Sequence, residues 1–362
     1  MRKLASVRQI NAIREIEGAD KIECAVVDGW ECVVAKKDNF KVGDEVVYIE
    51  IDSIVPEIPE FEFLRERKFR IRTIKLRKQV SQGLIMPLSI LPPGEYKLED
   101  DVTEILGITK YDPQKAQELK MQSEMTRKTR NPIIKFLMKF AWFRRWYIKP
   151  TTSGFPDWIV KTDEDRVQNM SRVFNVEKAL ETPFVVTEKL DGCSVTMFLE
   201  RVKGNKFDFG VCSRNLRLHN SENSTSKVYW DIANQINAEG VLKTLIGNAK
   251  RIVLQGEIIG SKIQGNKYKV DAYDFYAFNL IVDGEKYTTQ LTKKILEIHN
   301  IKTVPILAEN FTLLEDIPAM VKYAKGDSVL HSTKREGIVV RNYDHNISFK
   351  VINPDFLLAE RD

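Results

Sequence analysis

The sequence predicts an α+β protein, with a small N-terminal β-barrel ahead of a larger mixed domain. Three observations predict it. Short alternating strands with tight-turn residues crowd the first hundred positions. A basic, aromatic stretch without strand periodicity follows. Beyond about residue 155, apolar strands alternate with segments of helical period. A chain of 362 residues suits two cores better than one. Its 43% hydrophobic and 30% charged residues exclude a disordered chain. The net charge of +5 is mild, so the distribution of charge matters more than its sum.

In the first hundred residues, "CAVVDGWECVVAK" (24–36) reads as two strands around an Asp28-Gly29 turn, a strong hairpin signal. "FKVGDEVVYIEIDSIVP" (40–56) adds a Gly-Asp turn and a strand of Val, Tyr and Ile. In "KFRIRTIKLRKQVSQGLIMPL" (68–88), Phe69 and Ile71 alternate with Arg70 and Arg72, and the phase then slips at Thr73. A slip of one residue in a two-residue period predicts a β-bulge. Five short strands suit an OB-type barrel, with any other small β-barrel as the alternative.

Between Arg127 and Lys149 the chain carries eight basic residues and no acidic one, interleaved with Phe136, Phe140, Trp142, Phe143, Trp146 and Tyr147. This composition fits a nucleic-acid surface and, equally, an amphipathic helix packed between domains. Lysines and arginines interrupt 131–150 too often for a membrane span. No secretory signal is read at the N-terminus, and the four scattered cysteines have no CxxC spacing. A reduced, intracellular setting, cytoplasmic by expectation, follows from both. The four histidines have no metal spacing and receive no role.

After 155, strands are expected near 184–189, 195–201, 206–213, 252–258, 273–281, 336–342 and 346–352, with helices over 164–180, 226–247 and 290–299. Several strand ends supply one charged residue each: Lys189 in "FVVTEKLDG", Glu257 in "IVLQGEIIG", Glu336 in "REGIVVRN" and Lys350 in "NISFKVIN". "CSRNLRL" places Arg214 after a strand, and "YDFYAFNL" is an aromatic strand. Charges recurring at strand ends line a site; a core would not tolerate them.

In this order, "EKLDG", "SRN", "GE", "FYAF", "EGIVVR" and "SFK" resemble the motifs of the covalent nucleotidyltransferase superfamily of ATP-dependent ligases and capping enzymes. "KLDG" alone is short enough to arise by chance; six motifs in order are not. Only twelve residues follow Lys350, which leaves no room there for the OB domain that capping enzymes and DNA ligases carry after the last motif. The β-rich segment in front is similar to the RNA ligases with an N-terminal OB domain. The resemblance implies an OB-like, RNA-binding barrel over 1–105, a linker over 106–153 and an adenylyltransferase domain over 154–362. That domain would be built of ATP-grasp-like antiparallel sheets with helices.

The implied activity is ATP-dependent sealing of RNA 3′-OH and 5′-phosphate ends or nicks through a lysyl-AMP intermediate, with a role in RNA repair. ATP and Mg²⁺ or Mn²⁺ are the implied cofactors, RNA is the partner, no membrane is involved, and a monomer is expected. An RNA guanylyltransferase and a non-catalytic RNA-binding protein on a ligase scaffold stay open as alternatives.

By the resemblance, Lys189 is the nucleophile. A lysine must lose its proton to attack, so its pKa is expected to be lowered by the apolar strand before it, by Lys350 and by the metal. Glu257 and Glu336 would hold the metal's hydration shell, and Asp191 would contact ribose or a metal-bound water. Phe278 would stack on adenine with Val339 on the opposite face, and Lys350 would neutralise the α-phosphate. Arg214 would hold phosphate, and Glu188 would touch the adenine edge or pair with a neighbouring base. Many relatives carry Lys-x-Lys where this chain has Ser348-Phe349-Lys350; Arg166 and Lys161 are the substitutes considered for the missing cation. Arg70, Arg72, Lys75 and Arg77 are the expected RNA contacts of the barrel.

Overall fold

The computed structural model describes residues 3–111, 136–137, 140, 152–203, 206–220, 224–261 and 263–358. It forms two compact units, Met1–Lys135 with Leu357–Asp362, and Phe136–Phe356. Most of the basic and aromatic stretch 127–149 lies outside the described residues, and so does most of 131–150. Within that stretch, the rings of Phe136 and Phe140 meet edge-on with centroids 5.8 Å apart. No helix among the described residues is long and apolar enough to cross a membrane. All four cysteines are free.

The N-terminal unit contains β1 (Ala5–Gln9), β2 (Ala12–Glu15), β3 (Ile22–Val27), β4 (Trp30–Ala35), β5 (Glu45–Ile49), β6 (Ser53–Ile54), β7 (Ile74–Leu76), β8 (Gln79–Ser81), β9 (Leu84–Pro87) and β10 (Thr109–Lys110). Sheets of order β1-β5-β9 and β2-β3-β4 carry most of the pairing. The β3–β4 hairpin turns at Asp28 and Gly29, both at positive φ, as the Asp-Gly pair requires. "EVVYI" of β5 is a nearly unbroken apolar run because both its faces are buried. Val46 and Tyr48 join one apolar cluster with Trp30, while Val47 and Ile49 join another with Phe61 and Phe69.

The strand expected over 68–77, with its bulge at Thr73, is not formed. A 3₁₀ run over Pro59–Arg67 ends with Lys68 and Phe69 both left-handed, Arg70 makes only an isolated bridge with Ile54, and a strand begins at Ile74. Phe69 and Ile71 are buried and Arg72 is exposed. The alternation therefore marked the inner and outer sides of an irregular segment. The next turn, Arg77-Lys78, joins β7 to β8 with both residues at positive φ and both exposed.

The second unit contains two sheets. One has seven strands in the order β11-β16-β15-β14-β17-β18-β19: β11 (Thr152–Gly154), β14 (Cys193–Arg201), β15 (Phe207–Cys212), β16 (Leu216–Leu218), β17 (Arg251–Ile259), β18 (Asp274–Val282) and β19 (Glu285–Lys286). The other has the order β12-β22-β21-β13-β20: β12 (Asp165–Arg166), β13 (Phe184–Lys189), β20 (Ile306–Phe311), β21 (Gly337–Asn342) and β22 (Ile347–Ile352). Pairing is antiparallel except between β12 and β22.

Five helices cover one face of each sheet. Helices α2 (Ser224–Gln235) and α3 (Ala238–Leu245) bury Ile232, Ala233, Val241 and Leu242 against Val195, Met197, Leu199, Ile252 and Leu254. Leu296 of α4 (Thr289–Ile298) joins the same core. Helices α1 (Ser171–Ala179) and α5 (Ile317–Ala324) bury Phe174, Ile317 and Met320 against Phe184, Val186, Ile338, Val340, Phe349 and Val351. Each fully buried Val, Leu, Ile, Phe or Met side chain among them contributes roughly 1.5–3 kcal/mol. Two expected helices are shorter than their periodicity suggested. The span 226–247 divides at Asn237, which adopts the left-handed conformation. The span 164–180 begins with β12 and a 3₁₀ turn, and α1 starts only at Ser171.

Candidate active site

The period of two decides what reaches the site. On β13, Phe184 and Val186 point into the helix-covered core, so Val185, Thr187 and Lys189 occupy the other face. Register partners share a face. Lys189 lies opposite Gly337, Thr187 opposite Val339 and Val185 opposite Arg341. On the far side of β21, Val339 lies opposite Lys350 and Arg341 opposite Ser348. Lys189, Val339, Arg341, Ser348 and Lys350 thus share the helix-free face of the five-stranded sheet. Arg166, on β12, pairs in parallel with Lys350 and is buried.

The segment 190–192 carries the chain from β13 into β14 of the larger sheet. Gly192 is required there, since a Cβ would come 2.3 Å from the Ile258 carbonyl oxygen and 2.9 Å from Glu257 Cγ. Gly337, opposite Lys189, is similar: a Cβ would meet the Val351 carbonyl oxygen at 2.2 Å. The glycines of "KLDG" and "EGIVVR" therefore let strands approach closely around the lysine. On β17 the core takes Ile252, Leu254 and Ile258, which turns Gln255 and Glu257 to the side away from the helices.

Lys189 Nζ donates a 2.6 Å hydrogen bond to Glu336 Oε2, with the side chains only 25% and 14% exposed. Asp191 pairs with Lys267 at 2.9 Å, and its backbone N–H donates to the Tyr268 hydroxyl at 2.7 Å. Burial works against the charge on Lys189, but Glu336 and Glu257, with Asp191, outweigh it and hold the lysine above its ordinary value. This corrects the expectation of a lowered pKa: three carboxylates dominate one apolar strand. Burial also pushes Glu257 up from 4.5 to about 8 and Asp191 from 3.8 to about 6. Glu336 raises both, while Lys189 opposes the shift of Glu257 and Lys267 that of Asp191.

A carboxylate raised on folding keeps its proton longer in the folded state. Its stability contribution therefore falls as pH rises from about 4.5 to about 8. Without divalent metal, Glu257→Gln is expected to melt ~2–4 °C above wild type at pH 8 and at nearly the same temperature at pH 5. Melting curves that stay parallel across this range would contradict the assignment.

The other expected residues distribute as follows. Glu188 is buried at 1% exposure; its Oε2 accepts from the Val329 N–H at 3.0 Å, and its Oε1 is a buried atom without a hydrogen-bond partner. Phe278 and Val339 are half-buried while their neighbours Ala277 and Val340 are fully buried. Phe278 packs against the apolar cluster that contains Tyr268 and Tyr276. Arg214 forms an ion pair with Asp163, and Lys161 donates to Asn215 at 3.2 Å, so 161–163 meets the "SRN" turn. Glu257, Glu336 and Asp191 interact electrostatically, yet no group of three acidic, histidine or cysteine side chains arranged to hold a metal occurs among the described residues. The Lys189 ammonium group engages Glu336 instead.

In the N-terminal unit, Arg72, Lys75 and Arg77 are exposed. Arg70 differs: it bonds Asp52 at 2.6 Å and lies 3.5 Å over the Tyr111 ring. Sequence reasoning missed Lys267 and Tyr268, which reach Asp191 from "GNKY", and Arg341, which sits in a buried polar network.

A family model for RNA ligase matches residues 182–352, and one for an OB-fold domain matches residues 4–88. No curated protein sequence matches the chain. Among solved structures it is similar to a mutant Naegleria gruberi RNA ligase with ATP and Mn: TM-score 0.78, 32% identity, covering 99% of this chain and 100% of that one. A mutant of the same enzyme with AMP and Mn gives 0.78 and 33%, covering 98% of each chain. That enzyme with PPi gives 0.77 and 34%, covering 99% of this chain and 98% of the other.

Proposed function

The chain belongs to the RNA ligase family, in the branch with an N-terminal OB domain, and on that premise we propose that it seals RNA 3′-OH and 5′-phosphate ends with Lys189 as nucleophile. The observation that carries this reading is the Lys189 ammonium group at the end of β13, 2.6 Å from Glu336 and facing Glu257 and Asp191. ATP is the AMP donor. Lys189 Nζ forms a bond to the α-phosphorus as pyrophosphate leaves. The AMP then passes to an oxygen of the RNA 5′-phosphate, restoring the amine. A 3′-hydroxyl finally attacks that 5′-phosphorus, forming the phosphodiester and releasing AMP.

Burial, with Glu336 and Asp191 beside it, pushes Glu257 up to about 8, and such a crowd of carboxylates fits a site that takes a divalent cation. Glu257 and Glu336 are the residues to hold Mg²⁺ or Mn²⁺, which when bound supplies positive charge beside the phosphates. Glu336, the hydrogen-bond partner that helps keep Lys189 protonated, is the group that would have to let go for the amine to lose its proton. Lys350 faces the α-phosphate as charge builds there, and the pairing of Arg166 with Lys350 makes Arg166 the better substitute for the cation absent at Ser348. Phe278 and Val339 take the two faces of adenine. Wild-type protein incubated with labelled ATP and Mg²⁺ or Mn²⁺ should retain label on a denaturing gel and acquire none when a chelator is present throughout the incubation. Label from GTP but not from ATP would point to a guanylyltransferase.

Arg72, Lys75 and Arg77 of the OB domain are the residues we assign to RNA phosphates; Arg70 is held by Asp52 and Tyr111. Replacing the three by alanine should reduce the slope of log K against log salt for RNA binding by about 2–3. An unchanged slope would remove them from the interface.

A further inference from the structure

Arg341 is 5% exposed, and its guanidinium is engaged on every side. Nε donates to Ser348 Oγ at 3.2 Å and Nη2 to Glu164 Oε1 at 2.9 Å. Nη1 donates to the Phe278 carbonyl oxygen at 3.1 Å and to Asn279 Oδ1 at 3.0 Å. The network continues from Asn279 Nδ2 to Gln255 Oε1 at 2.7 Å, and from Gln255 Nε2 to the Val160 carbonyl oxygen at 2.8 Å. One side chain on β21 therefore binds β22, β18 and the 160–164 segment together, and through Asn279 it reaches β17.

Two features tie this network to the adenine site. Arg341 stands two residues after Val339 on the same face of β21, and it holds the carbonyl of Phe278 itself. Val339 and Phe278 are both half-buried among buried neighbours. A guanidinium is the side chain suited to this position, because its planar fork reaches acceptors on two strands at once; an ammonium group offers only one nitrogen. Ser348 fits the same arrangement. It lies directly opposite Arg341 and accepts from it, where a lysine would set two cations side by side.

We propose that Arg341 is a positioning residue that sets the spacing between Phe278 and Val339, and with it the width of the adenine slot. The proposal rests on the reading that these two residues sandwich the base. Arg341 touches neither ATP nor RNA; it acts through the Phe278 backbone.

The test is a double-mutant cycle on self-adenylylation, with KM for ATP and kcat measured separately. Arg341→Gln is expected to raise KM about tenfold and change kcat by less than about threefold. Phe278→Leu should also raise KM about tenfold, and the double variant should be no worse than the weaker single one. Arg341→Lys, which keeps the charge without the fork, should behave like Arg341→Gln and serves if the glutamine variant does not fold. Multiplicative KM effects, or a loss in kcat with KM unchanged, would overturn the proposal while leaving the stacking reading intact. If Phe278→Leu alone leaves KM unchanged, the stacking reading itself fails.

Discussion

Replacing Lys189 by alanine is expected to abolish ATP-derived labelling of the protein, with a loss of at least about 10⁴-fold in self-adenylylation. The size follows from the role: the amine forms the bond to phosphorus, and no neighbour can take its place. Lys350 stands two strands away on the same sheet face, and the carboxylates around Lys189 are poor nucleophiles towards a polyanion. The variant should fold, because Lys189 ends its strand on the face away from the helix-covered core, and the carboxylates left without it can take up protons. A circular dichroism melt near that of wild type should accompany the loss of label. Residual labelling above about a hundredth of wild type would mean that another residue takes the AMP.

Lys350→Ala should lower self-adenylylation by about 10²–10³-fold, the usual effect of removing one donor aimed at developing charge. Its strand sits firmly, with Phe349 and Val351 buried at 1% and 0% on the helix side. The lysine can therefore be removed without disturbing the core. Arg166, buried beside it through the β12–β22 pairing, would supply part of the lost charge. A rate within about threefold of wild type would show that Arg166 or Arg214 neutralises the α-phosphate instead.

Much of the architecture was legible because period-two alternation is strong where one face of a sheet meets helices. The strands carrying Lys189, Glu257 and Lys350 fall where the sequence pattern put them, and Glu336 stands just before the strand expected to include it. Where pairing is irregular, alternation misled: 68–73 buries Phe69 and Ile71 without being a strand. The divided helix at Asn237 was hidden because apolar spacing continues across the break. The short strand β20 has its polar residues Glu309 and Asn310 inside it, and "ILAENF" gave no alternating signal.

The site was legible at strand ends and illegible at side chains that act across strands. The lysine's environment required the sheets to be brought together, because the carboxylates that hold Lys189 protonated come from positions 257 and 336, distant in sequence. Arg341 was read only as the last letter of a motif; its acceptors include groups on Phe278, Asn279, Glu164 and Ser348. Likewise Arg70 looked like its basic neighbours until Asp52 and Tyr111 were found around it.

The central claim, covalent attachment of AMP to Lys189, is tested most directly by mapping the adduct. Wild-type protein is incubated with ATP and Mn²⁺, digested under neutral conditions that preserve a phosphoramidate, and sequenced by mass spectrometry. The account predicts a single AMP addition on the peptide containing "EKLDG", fragmenting to Lys189 and released by mild acid. An AMP adduct on any other residue, or an acid-stable linkage, would contradict it.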